Sequence, residues 1–171
     1  MDEVKKYRDT YIRITTRPII YSWWFKDEIV DILLDKLGKE VKKERIYHKD
    51  GYALLYIGSG KNGYDRLIKY HILDSSNFHE KGIENGRLSS LRQTICGLMN
   101  YRMSSSRIEV DRLMDTYCKI EWEEVNLEDM LLKEKEAIQK NYLPLNWQHT
   151  KGILTPEHRR ILTRLRNAAR N

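Results

Sequence analysis

The feature that most constrains this chain is an apolar run that ends in three closely spaced glycines, Ala53-Leu54-Leu55-Tyr56-Ile57-Gly58-Ser59-Gly60-Lys61-Asn62-Gly63. Aliphatic and aromatic residues followed by glycines, and then by residues at helical spacing, predict a strand, a tight loop and a helix. Side chains alternate between the two faces of a strand. The two predicted faces consist of Ala53, Leu55 and Ile57 on one side and of Tyr52, Leu54 and Tyr56 on the other. Tyr56 therefore need not belong to the main core.

The residues after the glycines add polar groups to the same corner. Arg66 and Tyr70 are four residues apart and share one face of the predicted helix. Ile68 and Ile72 lie roughly opposite and are expected to pack inward. A guanidinium and two phenols, one of them from Tyr56, are thus predicted to converge where the strand meets the helix.

Length and composition indicate one globular domain over residues 1–171. Hydrophobic residues make up 40% and charged residues 33%, and no run approaches the roughly 18 apolar residues of a membrane span. The first residues lack the shape of a signal peptide, so a cytoplasmic location is expected. A net charge of +6 permits nucleic acid as a partner. Cys96 and Cys118 form no CxxC pair, which argues against a disulfide framework or a zinc site.

A second candidate strand precedes the glycine-rich corner. Residues 19–25 are β-branched and aromatic, which predicts a strand buried on both faces. Residues 27–39 then carry apolar side chains at helical spacing and end near Gly38, which predicts a helix, and a charged turn follows at 39–50. With a third strand at 118–123, the pattern predicts an α+β fold, a small antiparallel sheet of about three strands flanked by helices.

Between these strands, polar residues 74–86 predict a surface loop, and an amphipathic helix starts near residue 88 with Ser89 or Ser90 as its cap. Arg87 and Arg92 flank the start of this helix. A shorter helix is expected through residues 108–114.

One carboxylate stands out near the end of the predicted core. Asn126 and Asp129 are spaced like a capping box, and the helix behind them has an apolar stripe at Leu127, Met130, Leu131 and Ile138. Glu134 falls within that stripe. A carboxylate on an apolar face is costly unless a cation, a metal ion or hydrogen-bond donors meet it. Glu134 is therefore a candidate site residue, with a buried ion pair as the structural alternative.

The C-terminal segment, residues 151–171, predicts a basic helix. Thr155 is the expected N-cap and Pro156 the first helical residue. The arginines that are expected to point outward are Arg159, Arg160, Arg164, Arg166 and Arg170. Such a face can bind DNA phosphates, or it can be an ordinary solvated face on a packing helix.

These residues resemble the motifs of the GIY-YIG nucleases. Tyr56-Ile57-Gly58, Arg66 ten residues after Tyr56, and Tyr70 four residues after Arg66 match the second half of the motif. The spacing is closest to that in the N-terminal nuclease domain of excision-repair endonucleases. In many other members the last position is histidine, and His71 is the next residue here.

The first half of the motif is less regular. Ile19-Ile20-Tyr21 would be the GIY element, with isoleucine in place of glycine, and 34 residues separate Tyr21 from Tyr56 where the family has a short hairpin connection. A helical insertion in the hairpin accounts for that length. Tyr21 can equally be a core tyrosine. With Glu134 and Asn146 in the family's order, the resemblance covers a core of about residues 18–147.

The resemblance implies a metal-dependent DNA endonuclease. Glu134 would hold one Mg²⁺ ion, for which Mn²⁺ can substitute, because Mg²⁺ is bound through few protein ligands plus substrate phosphate. Arg66 would bind the scissile phosphate. Either Tyr56 or Tyr21 would be the general base, although forming a phenolate from a phenol of pKa near 10 costs about 4 kcal/mol at pH 7.

Other residues have supporting roles under the same resemblance. Tyr70 or His71 would assist by hydrogen bonding, and Asn146 would tie the last turn to the core. The candidate DNA contacts are Lys61, Lys69, Arg92, Arg159, Arg160 and Arg164.

Two other functions fit the sequence. A nucleic-acid-binding module with the same fold but no activity is favoured by the altered GIY element, whereas a carboxylate at Glu134 argues against it. A scaffold or inhibitor is a third possibility that no motif supports. For an endonuclease, the compact chain favours a restriction-type role, and cutting both strands would require a homodimer.

Overall fold

The computed structural model describes residues 1–10, 12–75 and 89–170, which form an α+β fold. The strands are β1 (Asp2–Glu3), β2 (Ile19–Lys26), β3 (His48–Lys49), β4 (Tyr52–Gly60) and β5 (Cys118–Glu124). The helices are α1 (Val4–Thr10), α2 (Asp27–Leu34), α3 (Tyr64–Ile72), α4 (Ser90–Met99), α5 (Arg107–Tyr117), α6 (Met130–Lys140) and α7 (Pro156–Ala168). The predicted loop at 74–86 and Arg87 lie largely outside the described residues. Within the described ranges, no helix has both the length and the apolar character that a membrane crossing requires.

The sheet is antiparallel throughout, with the strand order β1-β5-β2-β4-β3. The three predicted strands are its long central members, and the α+β prediction is confirmed. The two additional strands, β1 and β3, have two residues each and lie at the edges. Two residues are too few to show a hydrophobic period, so sequence pattern does not reveal them.

The central strand, β2, is buried on both faces, as its composition predicts. Tyr21, Trp23 and Phe25 belong to the larger core, which packs against most of the helices. Ile20 and Trp24 belong to a smaller core with Met130 and Ile138 of α6 on the other face of the sheet. Side chains for a site can therefore approach this strand from two layers.

The predicted alternation along β4 fails at Leu55. Trp23 of β2 pairs with Tyr56 and the next residue, Trp24, pairs with Leu54, so Leu55 is an extra residue in the ladder. Such a bulge turns consecutive side chains to the same side of a sheet. Leu55 and Tyr56 both join the larger core, and Tyr56 is 6% exposed. The alternation that separated Tyr56 from Leu55 therefore fails, and Tyr56 does belong to the main core.

The insertion between β2 and β4 is helical, as predicted. α2 continues into a 3₁₀ segment, Asp35–Glu40, in which Gly38 has φ = 52°, a conformation that favours glycine. The side chains of Ile29, Leu33 and Leu37 are buried. The insertion is therefore an integral part of the core.

The helix that carries Glu134 begins later than the capping-box pattern predicts. α6 starts at Met130, and Leu127 and Leu131 are exposed by 54% and 64%. The predicted cap and two of the four stripe residues are thus wrong. The segment before Met130 is a turn, which places Leu127 outside the helix, and Leu131 lies on the solvent side of α6. Met130 and Ile138, each four residues from Glu134, are buried as predicted.

The C-terminal helix packs closely on α4. A Cβ atom added at Gly97 would lie 2.6 Å from the carbonyl group of Leu165, so only glycine allows this approach. The side chain of Thr155 accepts a hydrogen bond from His158 N (3.0 Å), which confirms the predicted cap. α7 is therefore fixed at its start and along its length.

Candidate active site

Tyr21 and Gly58 face each other across the two central strands. They are paired in the register of β2 and β4, and a Cβ atom added at Gly58 would lie 2.6 Å from Tyr21 Oη. The tyrosine ring thus occupies the space that a side chain at 58 would need. This contact is the physical reason for glycine at the end of the Tyr-Ile-Gly sequence.

A hydrogen-bonded chain leads from Tyr21 into the interior. Tyr21 Oη lies 2.7 Å from His71 Nε2, and His71 Nδ1 lies 2.6 Å from Ser89 Oγ, the N-cap of α4. Burial raises the pKa of Tyr21 above its ordinary value. Burial, and then the positive charges of Arg66 and Arg92, hold the pKa of His71 well below 6.5. Both groups are therefore neutral at rest.

Arg66 lies beside this pair. Its Nε donates a hydrogen bond to Tyr21 Oη (3.3 Å), and its guanidinium carbon lies 4.8 Å from the centre of the Tyr70 ring. Within the described residues, no carboxylate forms an ion pair with Arg66. A half-buried cation of this kind is available to an anionic substrate.

Helix α3 brings both candidate assisting residues to the site because it is a π-helix. Its wider turn, seen in the hydrogen bond from Leu73 N to Ile68 O (2.7 Å), places residues five apart above each other. Tyr70 stacks under Arg66, while His71, five residues after Arg66, contacts Tyr21. Single-turn π-type distortions occur frequently at functional sites.

Tyr56 enters the same region from β4 through the bulge at Leu55. Its hydroxyl group lies 2.8 Å from Ser90 Oγ. Burial raises the pKa of Tyr56, while the hydrogen bond with Ser90 and the charge of Arg66 act in the opposite direction. The group is a neutral phenol that can donate a hydrogen bond.

Glu134 reaches the site from α6. Ser59 Oγ donates a hydrogen bond to Glu134 Oε2 (2.9 Å), and the side chain is half-buried. The described residues contain no group of three or more His, Cys, Asp or Glu side chains that could hold a metal ion. A single carboxylate is compatible with Mg²⁺, which keeps several water ligands, and is unlike a zinc site.

Asn146 supports the site from behind. Its side-chain oxygen accepts from Ile57 N (3.0 Å) and its amide donates to Ile57 O (2.8 Å), while Leu145 N donates to Leu55 O (3.2 Å). These bonds occupy the free edge of β4 where a neighbouring strand would otherwise pair. Asn146 is 3% exposed and thus lies where a structural role predicts it.

These elements surround one cleft of about 290 Å³. Its lining includes Tyr56, Gly58, Arg66, Ser90, Glu134, Trp147 and Arg166. Tyr21 lies immediately behind Gly58 and Arg66. Two cations, one carboxylate and a phenol at one opening can bind and polarise a phosphate group.

The isoleucine at the first motif position has a structural explanation. Ile19 is fully buried, and a Cβ atom added at Gly63 would lie 2.9 Å from its Cγ2 atom. The glycine-rich loop thus leaves room for the larger side chain. The altered GIY element therefore does not displace Tyr21.

The candidate DNA contacts near the strands differ in their surroundings. Lys61 is exposed, and Lys69 forms an ion pair with Asp65 (2.7 Å). Arg92 is 1% exposed, donates to the carbonyl oxygens of His71 and Ile72, and forms ion pairs with Asp74 and Asp111. The prediction that Arg92 contacts DNA is therefore corrected, because this buried side chain joins the end of α3 and Asp74 to α5.

The arginines of α7 divide between two faces. Arg160 and Arg164 are exposed, and Arg160 pairs with Glu157. Arg159 is half-buried and lies over the Trp147 ring, with 5.6 Å between guanidinium carbon and ring centre. Arg166, which the sequence places outward, instead lines the cleft.

Among the aromatic and charged residues of the cleft, the sequence-based site lacks Trp147 and Arg166. Arg166 follows the buried Leu162 by four residues, so helical period alone indicates that it faces the body. Trp147 directly follows Asn146 and is 39% exposed. An exposed tryptophan beside a structural motif residue is the signal that could have identified it.

Comparison with protein families agrees with this geometry. A family model described as the GIY-YIG catalytic domain matches residues 19–168. No curated protein and no solved structure matches significantly. The match spans β2, the glycine-rich corner, α6 and α7. The chain therefore belongs to the GIY-YIG nuclease superfamily.

Proposed function

We propose that this protein is a Mg²⁺-dependent endonuclease that hydrolyses phosphodiester bonds in DNA. This proposal rests on one observation. Arg66, Glu134 and Tyr56 line one cleft, and Tyr21 and His71 lie directly behind it. Membership of the superfamily supports a nuclease-type activity. The metal, the assignment of each step and the biological role are our proposals.

Arg66 binds the scissile phosphate in this mechanism. Its guanidinium is held by Tyr21 and stacked on Tyr70, so little side-chain freedom is lost when substrate binds. Two parallel N–H donors can contact two phosphate oxygens. Donors that are positioned in advance stabilise the charge that builds up during attack, typically by a factor of about 100 to 1000 in rate. Tyr56 adds a hydroxyl donor at the same opening.

We assign the general base to Tyr21. Its oxygen accepts from Arg66 Nε, so its proton points to His71 Nε2, and His71 Nδ1 donates to Ser89 Oγ. As water attacks phosphorus, Tyr21 takes a proton from the water and passes its own proton to His71. After the products leave, His71 returns this proton through Tyr21 to solvent, since its low pKa favours the neutral imidazole. The new bond joins the water oxygen to phosphorus. The bond to the leaving sugar oxygen breaks, and that oxygen takes a proton from solvent.

Glu134 is the residue that would hold Mg²⁺. One carboxylate oxygen accepts from Ser59, which fixes the side chain while the second oxygen remains for the ion. When bound, the cation neutralises charge on the phosphate and the leaving oxygen. The chain's own contribution is to place this carboxylate on the same cleft as Arg66.

The test is cleavage of supercoiled and linear duplex DNA with Mg²⁺, with Mn²⁺ and with chelator. We expect Glu134→Gln to lower the rate at least about 100-fold. Glu136→Gln is the matched control, since Glu136 lies on the same helix, is exposed and pairs with Lys140. Equal activity of both variants would overturn the metal assignment.

The products also test the biological role. Discrete fragments would support the restriction-type role, and random nicking would exclude it while leaving the chemistry intact. DNA binding without cleavage under any condition would favour the inactive binding module. Cutting both strands would require a homodimer, and sedimentation of the protein with and without DNA tests for one.

A further inference from the structure

Trp147 joins the main cleft to a second cavity. The second cavity has a volume of about 220 Å³ and is lined by Trp147, Thr163, Arg166, Asn167 and Arg170. Trp147 and Arg166 line both spaces. The two cavities are therefore neighbouring parts of one surface beside the proposed phosphate site.

The indole of Trp147 is held in place at this junction. Its Nε1 donates a hydrogen bond to Thr163 Oγ1 (3.0 Å), and Arg159 lies over the ring. The side chain nevertheless remains 39% exposed. A large aromatic ring that is oriented by neighbours and open to solvent is suited to stacking on another flat group.

Two arginines meet at a buried amide next to this ring. Gln93 Oε1 accepts from Arg166 Nε (3.4 Å), Arg166 Nη2 (3.3 Å) and Arg170 Nη2 (3.5 Å), and Gln93 Nε2 donates to Arg166 O (3.0 Å). Gln93 is 1% exposed. The amide orients both guanidinium groups without neutralising either of them.

The charge at this place is unbalanced. Within the described residues, neither Arg166 nor Arg170 forms an ion pair, in contrast to Arg160 on the outer face of the same helix. Burial, with a smaller contribution from Arg170, lowers the pKa of Arg166. Two neighbouring cations of which one is half-buried favour an anion between them.

We propose that Trp147, Arg166 and Arg170 form a subsite for the nucleotide next to the scissile phosphate. The base of this nucleotide stacks on Trp147, and its phosphate binds the two arginines. This proposal rests on the proposed function, which places the scissile phosphate at Arg66.

The proposal also defines a substrate class. Inside an intact duplex the base pairs stacked above and below cover both faces of a base, so such a base can stack on Trp147 only when it is unpaired and leaves the stack. The favoured substrate is therefore a strand with an unpaired nucleotide beside the cleaved bond.

The first test is tryptophan fluorescence in the presence of chelator, so that no cleavage is needed. The probes are a single strand of about 12 nucleotides, within the range of single-strand-binding domains, and a blunt duplex of the same sequence. We expect the single strand to quench fluorescence at least twice as much as the duplex. Trp147→Phe should remove this quenching, because Trp23 and Trp24 are buried and the half-buried Trp122 lines neither the main cleft nor the second cavity. Circular dichroism verifies that the variant is folded.

The second test is the salt dependence of binding, measured by fluorescence anisotropy of the labelled single strand. Arg166→Gln should reduce the slope of log K against log salt by about 0.7, the value for one phosphate contact on a single strand. Arg170→Gln should act similarly. Arg112→Gln, at an exposed arginine of α5, is the control and should leave the slope unchanged.

The outcomes separate this proposal from the proposed function. Quenching that survives in Trp147→Phe, equal quenching by the duplex, or a slope in Arg166→Gln equal to that of the control would overturn the subsite, even if the protein cleaves DNA. Trp147-dependent quenching in a protein that cleaves neither duplex nor single strand would uphold a nucleotide-binding site at Trp147 and overturn the proposed nuclease function.

Discussion

The hydroxyl oxygen of Tyr21 lies 2.7 Å from His71 Nε2, and burial keeps both groups neutral. The pair joins the central strand of the sheet to a π-helix. Because the second histidine nitrogen reaches the N-cap of α4, three elements meet at one proton path.

The first prediction concerns the Tyr21 hydroxyl. Tyr21→Phe should lower the cleavage rate about 100-fold to 10 000-fold, the usual contribution of a general base. Tyr142→Phe is the matched control. Tyr142 is also buried and its hydroxyl contacts Lys42 N and Glu40 O, but it lies outside the cleft. Both variants should lose about 1–3 kcal/mol of unfolding free energy, whereas only Tyr21→Phe should lose activity. Comparable rates for the two variants would contradict the assignment.

The second prediction is a pH dependence of stability caused by His71. Its pKa is lowered in the folded protein, so the unfolded chain takes up a proton more readily. This contribution to stability is therefore present above pH 6.5 and is lost as the pH falls below it. Urea unfolding from about pH 7.5 to about pH 5.5 should show a smaller loss of stability in His71→Phe than in the wild type. Identical pH profiles of unfolding free energy for the variant and the wild type would show that His71 does not contribute to the pH dependence of stability.

The third prediction separates Tyr70 from His71. Tyr70→Phe keeps a ring under Arg66 and should retain most of the cleavage activity. His71→Phe removes the proton acceptor of Tyr21 and should reduce the cleavage rate at least about 100-fold. The two variants are compared by their steady-state rates of DNA cleavage at one pH. The reverse order of activities would assign the assisting role to Tyr70.

The fourth prediction concerns the amide that completes the edge of β4. Asn146→Ala leaves Ile57 N and Ile57 O without their partner, at a cost of about 1–3 kcal/mol for each buried group. Asn126→Ala, at an exposed asparagine, should change the free energy of unfolding by less than about 0.5 kcal/mol. Urea denaturation measures the free energy of unfolding of both variants. Similar free energies for the two would contradict the structural role of Asn146.

The fifth prediction follows from the contact between Gly58 and Tyr21. Gly58→Ala places a methyl group 2.6 Å from Tyr21 Oη, so the ring must move away from His71 and Arg66. Activity should fall to the level of Tyr21→Phe. Far-ultraviolet circular dichroism checks that the sheet remains. Full activity in this variant would show that the position of the Tyr21 ring is not critical.

Sequence pattern predicts the long elements and most of the proposed site, because both depend on local spacing. β2, β4, β5 and the capped helices follow from runs of apolar residues and from Ser89 and Thr155. Glu134 follows from its position between Met130 and Ile138. These inferences need only residues within one helix or strand.

The predictions that failed concern features that a regular helical or strand period does not show. One extra residue at Leu55 reverses the face on which Tyr56 lies, and the wide turn of α3 brings His71 to Tyr21. Arg92 is buried by partners 18 and 19 residues away, Asp74 and Asp111, which sequence spacing does not connect. The helical period turns Arg166 toward the body of the protein, but the cleft that it lines there is formed by the packing of α7 against the rest of the fold.

The packing of α7 has a consequence for how the protein assembles during synthesis. The cap of this helix, Thr155, bonds to Glu40 in the hairpin insertion, and Arg166 bonds to Gln93 in α4. All of these partners precede α7 along the chain. The surface that they form must therefore be folded before α7 can pack on it. The second cation of the cleft thus emerges after the other site residues, so a ribosome-bound intermediate that ends after α6 would contain Tyr21, Arg66 and Glu134 but still lack Arg166.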